Sequence, residues 1–403
     1  MVIQFRSIVI LAVLSVFPFL ACEAEGPIKK TIGPTQVEGN LEITSVKFGT
    51  MPDSPVKKTI KAEEGRLTVP ENRSNPTGRT VQIHFVRFSA TGKTPGYPTV
   101  YLAGGPGGSG TYSSAGDRFP LFMAMREVGD VIALDQRGCY MTEPYMVCPG
   151  SWDYPLDKPS DPDILAKVMA PFLKQCVEEW SGKADLSAFN TRENVADLED
   201  LRKSLGAEKL NLWGISYGTH LGLAYIRRYP ERVNRAVLAG VEGPDHTYKL
   251  PANIDRVLMR VADAVAADPA ARGAIPDFIG SVKALLAQLE AEPLQVEIQD
   301  PETKQRHTVA LGPLDVQKGV FGLLGEREDI EELVVRALPV LQGDYTGMAL
   351  WAYQDRRNNR ELVMALAMDC ASGATAERLE TIHRQAETAL VGKAGSYSIE
   401  AKC

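Results

Sequence analysis

The 403-residue sequence is poor in histidine, with five, and it contains no C-x-x-C pair and no histidine cluster, so no metal-ligand spacing is recognisable and no metal is expected. It lacks a basic excess: the net charge is -7, which argues against a nucleic-acid partner, because phosphate binding needs a positive surface. No uncharged apolar run reaches the roughly 20 residues of a comfortable membrane span; the one that follows Arg6 ends at Glu23. Internal repeats and low-complexity blocks are absent. What remains is ordinary for a globular protein, 44% apolar and 24% charged, in a chain long enough for one large domain or a core with an inserted block.

The first residues read as an export signal. Arg6 is a short positive segment, and Ile8, Val9, Ile10, Leu11, Val13, Leu14 and Val16 form the apolar stretch behind it. A short N-terminal membrane anchor is the competing reading. Two cleavage sites are open. Phe19-Leu20-Ala21-Cys22 resembles a bacterial lipobox, with Phe19 where Leu is usual, and would leave a lipidated Cys22 attached to a membrane. Cys22-Glu23-Ala24 passes as a small-x-small site for ordinary secretion, into the periplasm or medium. The lipobox is slightly preferred, which gives a signal at 1–22 and a tether at 23–45, where Gly26, Pro27, Gly33, Pro34 and Gly39 suggest flexibility. Export permits disulfides. The six cysteines are Cys22, Cys139, Cys148, Cys176, Cys370 and Cys403; with Cys22 set aside one is odd, and the sequence leaves connectivity open.

Thr80 to Phe88 alternates apolar and polar residues, the pattern of a half-buried strand. Thr99-Val100-Tyr101-Leu102-Ala103, Val131-Ile132-Ala133-Leu134, Leu210-Asn211-Leu212-Trp213 and Ala236-Val237-Leu238-Ala239 are short apolar runs separated by helical stretches, which predicts an α/β protein with a mostly parallel sheet covered on both faces. Asn190 caps a predicted helix with Glu193 as capping-box partner; Val195, Leu198, Leu201 and Leu205 mark its inner face and Gly206 ends it. Another helix runs from Ser216 to Tyr229, stopped by Pro230. Beyond residue 250 the pattern is mainly helical, over 254–266, 278–289, 326–341 and 375–390. It is interrupted by a hairpin of Leu294–Ile298 and His307–Leu311 around Asp300-Pro301-Glu302-Thr303.

Two motifs carry chemistry. Gly214-Ile215-Ser216-Tyr217-Gly218 is a G-x-S-x-G between a predicted strand and a predicted helix, a context that puts the Ser216 hydroxyl on a sharp turn above the carboxyl edge of the sheet. Ala103-Gly104-Gly105-Pro106-Gly107-Gly108-Ser109-Gly110 follows an earlier strand. It has neither the G-K-[ST] ending nor the spacing of a phosphate loop, and no cofactor is expected. Such a loop can turn main-chain N–H groups towards the oxyanion formed when a hydroxyl attacks an acyl carbon. The N–H of Tyr217 and one near Gly105 are the candidate pair.

These motifs resemble those of the proline iminopeptidase and tripeptidyl aminopeptidase group of serine peptidases. The glycine loop is similar to their H-G-G-P-G, with Ala103 in place of His, and Asp135-Gln136-Arg137-Gly138 resembles their D-x-R-G. Thr191, Asp197-Leu198, Leu201-Arg202, the G-x-S-x-G, Tyr229-Pro230 and Val233 keep the order and spacing of the group. The resemblance is strong over about residues 80–245 and faint beyond. It implies an α/β-hydrolase core over 46–250 and a mainly helical lid over 251–403. Ser216 is then the nucleophile, Gly105 and Tyr217 the oxyanion donors, and Asp135 and Arg137 supports for the loop. It also suggests the disulfides Cys148–Cys176 and Cys370–Cys403. Lid carboxylates of the group often bind a peptide's free amino terminus, and Glu242 is placed to do so here. The substrate implied is a peptide or small acyl compound; an esterase and a non-catalytic binding lipoprotein are the alternatives.

The order Ser, then Asp or Glu, then His, expected of such a triad, is not completed. His84 precedes the nucleophile, His220 lies one turn beyond it, and His246 and His307 fall in a loop and a hairpin. His383 could be paired with Asp344, but Leu379, Ile382, Ala386 and Leu390 put it inside an amphipathic helix. The expectation is therefore that the final core strands, about 80–100 residues with the acid and histidine, are missing from the chain.

Overall fold

The computed structural model describes residues 29–52, 54, 56–324, 327–357 and 362–403; the expected signal at 1–22 and Cys22 lie outside them. Eight strands form one sheet: β1 (Lys29–Glu38), β2 (Leu41–Gly49), β3 (Thr59–Pro70), β4 (Thr80–Phe88), β5 (Thr99–Leu102), β6 (Val131–Leu134), β7 (Leu210–Ile215) and β8 (Val233–Ala239). Their spatial order is β1-β2-β3-β4-β6-β5-β7-β8. β1 to β4 are joined antiparallel and β4 meets β6 antiparallel, whereas β6, β5, β7 and β8 run parallel. The parallel half bears the motifs. Its inner strands, Thr-Val-Tyr-Leu and Val-Ile-Ala-Leu, are buried at every position, which is why they read as unbroken apolar runs rather than alternating ones.

Helices cover both faces. On one face Leu198 and Leu201 of the helix Thr191–Ser204 and Leu221 and Tyr225 of the helix Tyr217–Arg228 pack on Leu102, Leu134 and Leu212. On the other, Phe122 and Trp213 close around Tyr101 with ring centroids 5.1 and 4.7 Å away. Burying each such side chain contributes about 1.5–3 kcal/mol.

The tether expected at 23–45 is corrected from Lys29 onward. Lys29–Glu38 and Leu41–Gly49 are paired strands, turned at Gly39 with φ +62°. Gly33 and Pro34, read as signs of flexibility, fall within the register shift between Thr31 and Thr35. An edge strand tolerates a proline and a bulge there because one side of its ladder is unpaired. The strand β3 was not anticipated either.

Residues 251–403 are helical around a hairpin of β9 (Leu294–Gln299) and β10 (Arg306–Leu311). The helix expected over 375–390 spans Ala376–Ala386, and the helices Pro313–Gly322, Thr346–Arg357 and Val363–Ser372 add to those anticipated. Cys148 is bonded to Cys176 and Cys370 to Cys403. Cys139 is a buried free thiol, pushed well up by burial and then by Asp135, which makes it unreactive. Among the described residues no helix is long and apolar enough to cross a membrane.

Candidate active site

β7 ends at Ile215, and the next residue turns sharply. Ser216 has φ +53° and ψ -124°, a conformation that costs a non-glycine residue of order 1–3 kcal/mol unless its surroundings enforce it. They do. Its amide donates to the Ala239 carbonyl at 3.0 Å, and its carbonyl accepts from the Thr219 amide at 2.8 Å and the Thr219 hydroxyl at 2.7 Å. The flanking glycines allow the bend: a Cβ on Gly218 would stand 1.9 Å from the Leu102 carbonyl oxygen, and one on Gly214 2.7 Å from that of Gly218.

The glycine loop lies directly against this bend. A Cβ on Gly104 would stand 3.0 Å from the Ser216 Cβ and 3.5 Å from its Oγ. Gly105 has φ +119°, a backbone open to glycine. On the loop's outer side the lid closes down: a Cβ on Gly107 would meet Leu362 Cδ1 at 3.1 Å and Ala365 Cβ at 3.4 Å. The helix Val363–Ser372 thus roofs the loop.

Tyr217 is buried, its hydroxyl 3.0 Å from Thr191 Oγ1 and 3.3 Å from Met368 Sδ, and its ring is stacked on His220. Burial pushes its phenol up, and the carboxylates of Asp369 and Glu242 add to this. Asp369 sits on the roofing helix and Glu242 follows β8, so acidic groups approach the same ring from the lid and from the core. Glu242 is 7% exposed; its amide donates to Thr219 Oγ1 at 2.7 Å and its carboxylate takes Lys249 Nζ at 2.6 Å.

The remaining expected site residues divide. Asp135 is fully buried and accepts from Ser109 Oγ and the Thr111 amide at the foot of the glycine loop. Arg137 does not touch the loop: it binds both oxygens of Asp197 and the carbonyls of Glu71 and Ala188. Asn190 caps its helix by accepting from the Glu193 amide, but the expected return bond from Glu193 is diverted to Arg73 at 2.7 Å. Among the described residues no hydrogen bond reaches Ser216 Oγ. His220 faces the Gly243 carbonyl, His246 the Gly243 amide, His307 the Tyr353 hydroxyl and His383 the Glu400 carboxylate. Asp344 accepts from the Thr346 amide instead of any histidine. Sequence reasoning missed Thr219, Met368 and Asp369; Thr219, three residues after the serine and able to bond its carbonyl, was the one with a local signal.

Residues 98–285 match the family described as the alpha/beta hydrolase fold. The match, the parallel half-sheet and the strand-to-helix bend define the class: the chain has the α/β-hydrolase fold. Among curated proteins it is similar to serine peptidases. The serine protease Hip1 of Mycobacterium tuberculosis is 30% identical over 190 residues, 45% of this chain and 36% of that protein. The tripeptidyl aminopeptidase of Streptomyces lividans is 28% identical over 271 residues, 64% of this chain and 47% of that one. The proline iminopeptidase of Neisseria gonorrhoeae is 28% identical over 160 residues, 40% and 37% of the two chains. The chain spans less than half the length of each of these relatives.

Proposed function

We propose that the protein is an exported serine peptidase of aminopeptidase type, with Ser216 as its nucleophile. The observation that carries this reading is the bend at Ser216, enforced from both sides and pressed against Gly104. The Ser216 oxygen attacks the carbonyl carbon of the scissile amide, and the amides of Gly105 and Tyr217 receive the resulting oxyanion. The leaving amine takes a proton as the C–N bond breaks, and water then hydrolyses the acyl-enzyme. The relatives named as aminopeptidases support a substrate with a free amino terminus. Glu242, buried beside the bend with Lys249 as its present counter-ion, is the carboxylate to receive that ammonium.

A hydroxyl needs a proton acceptor. The acceptor takes the Ser216 proton during the attack and returns it to the leaving amine as the C–N bond breaks. The two disulfides support an oxidising compartment, and a lipidated Cys22 would hold the protein at a membrane.

The test is hydrolysis by the natively exported protein of tripeptidyl and prolyl anilides, their N-acetylated forms and simple acyl esters. The expected result is release from free amino termini, lost in Ser216→Ala. Turnover of esters alone, or full activity in the variant, would overturn it.

A further inference from the structure

His84, on β4, is fully enclosed and belongs to no step of the proposed chemistry. Its Nδ1 lies 2.8 Å from Asp135 Oδ2 and 3.3 Å from Thr111 Oγ1, and its Nε2 lies 2.9 Å from Glu64 Oε1. The Asp135 side chain is 0% exposed and that of Glu64 19%. An ionised carboxylate only accepts hydrogen bonds, and a neutral imidazole offers one donor and one lone pair. A neutral ring would therefore point its lone pair at one of the two carboxylates. A ring protonated on both nitrogens satisfies both, and it gives the buried Asp135 the cationic neighbour that a desolvated carboxylate needs.

The other oxygen of Asp135 leads to the glycine loop. Oδ1 accepts from Ser109 Oγ at 2.5 Å and from the Thr111 amide at 3.0 Å, and Ser109 Oγ in turn caps the Tyr112 amide at 2.9 Å. Ser109 and Asp135 are also joined by a backbone bridge. We infer that His84 is a positioning residue that donates from both ring nitrogens, to Glu64 and to Asp135, and so fixes Asp135 against Ser109 and Thr111 at the foot of the glycine loop. β3, β4, the segment after β6 and the loop are thereby tied through one imidazole. The loop's role as oxyanion cradle rests on the function proposed above; the proton arrangement does not.

The experiment uses the full chain with 15N-labelled histidine at pH 7, and Glu64→Gln, a change at a partly exposed position compatible with folding. In the unaltered protein one imidazole carries slowly exchanging protons on both nitrogens. In Glu64→Gln that same ring loses its Nε2 proton, since the amide side chain can donate to it, and hydrogen exchange at the Gly108–Thr111 amides accelerates about tenfold as the charge-assisted bond is lost. The inference is overturned if no ring in the unaltered protein is doubly protonated, or if the substitution leaves the ring protons and loop exchange unchanged. Neither readout requires turnover, so failure of the peptidase assignment would leave this result intact, and the reverse holds as well.

Discussion

Gly104 and Ser216 are packed so closely that a methyl group on the glycine would stand 3.0 Å from the serine Cβ, with the Ile215 carbonyl oxygen at the same distance. Both obstacles are short and held by the bend, so the glycine loop must retreat if Gly104 gains a side chain. Gly104→Ala is expected to lower the rate of Ser216 phosphonylation by about 10²–10³, the effect of losing one oxyanion donor. Overpacking should cost about 1–3 kcal/mol in urea unfolding. An unchanged phosphonylation rate would remove the loop from the site.

Cys148 and Cys176 close a loop with a sequence separation of 28; Cys176 is on the buried face of the helix Pro162–Trp180, and both sulfurs belong to the core. Replacing both with serine is expected to cost about 3 kcal/mol. The check is the denaturant midpoint, compared with that of the unaltered protein with and without reductant.

Asp245, in the loop after β8, accepts from the Thr375 amide at 2.7 Å and the Thr375 hydroxyl at 2.8 Å, at the start of the lid helix Ala376–Ala386. The Thr375 amide, with the hydroxyl and Arg378 adding, holds its carboxyl below the ordinary carboxylate range. A depressed folded value means that the contribution is fully present above the unfolded value, near pH 4, and is lost as pH falls through the folded one. Hydrogen-exchange protection in the Ala376–Ala386 helix, taken relative to the intrinsic rate at each pH, should fall below about pH 4, and Asp245→Ala should show the lower protection already at pH 7. Equal exchange in both proteins at pH 7 would separate the lid's docking from this carboxylate.

β8 presents Val237 at 62% exposure, and Val241 beyond it at 60%. An apolar edge strand is a template for association. Val237→Lys is expected to suppress self-association in light scattering while changing the unfolding free energy by no more than about 0.5 kcal/mol, as for other exposed sites. If association persists, it arises elsewhere on the surface.

Sequence patterning was most legible where structure is local. The buried runs at Thr99–Leu102 and Val131–Leu134, the Asn190 cap and the G-x-S-x-G bend each depend on residues within one element, and each occurs where it was expected. What escaped depends on pairing across the chain. β1 and β2 hold together through a ladder with β3, which outweighs the flexibility suggested by Gly33 and Pro34. Glu64, His84, Ser109 and Asp135 meet only because β3, β4 and β6 are brought side by side, and no periodicity in any one strand announces it. Glu193 reads as a capping partner because its spacing is right, yet Arg73, 120 residues away, takes its carboxylate.

In the proposed reaction the Ser216 hydroxyl is presented to the amides of Gly105 and Tyr217. The most direct measurement is a crystal structure of the protein with a peptidyl boronate, which forms a tetrahedral adduct resembling the species after hydroxyl attack. The expected result is boron bonded to Ser216 Oγ, with one boronate oxygen within hydrogen-bonding distance of both amides. A trigonal, unbonded boronate, or an adduct whose oxygen points away from the glycine loop, would contradict it.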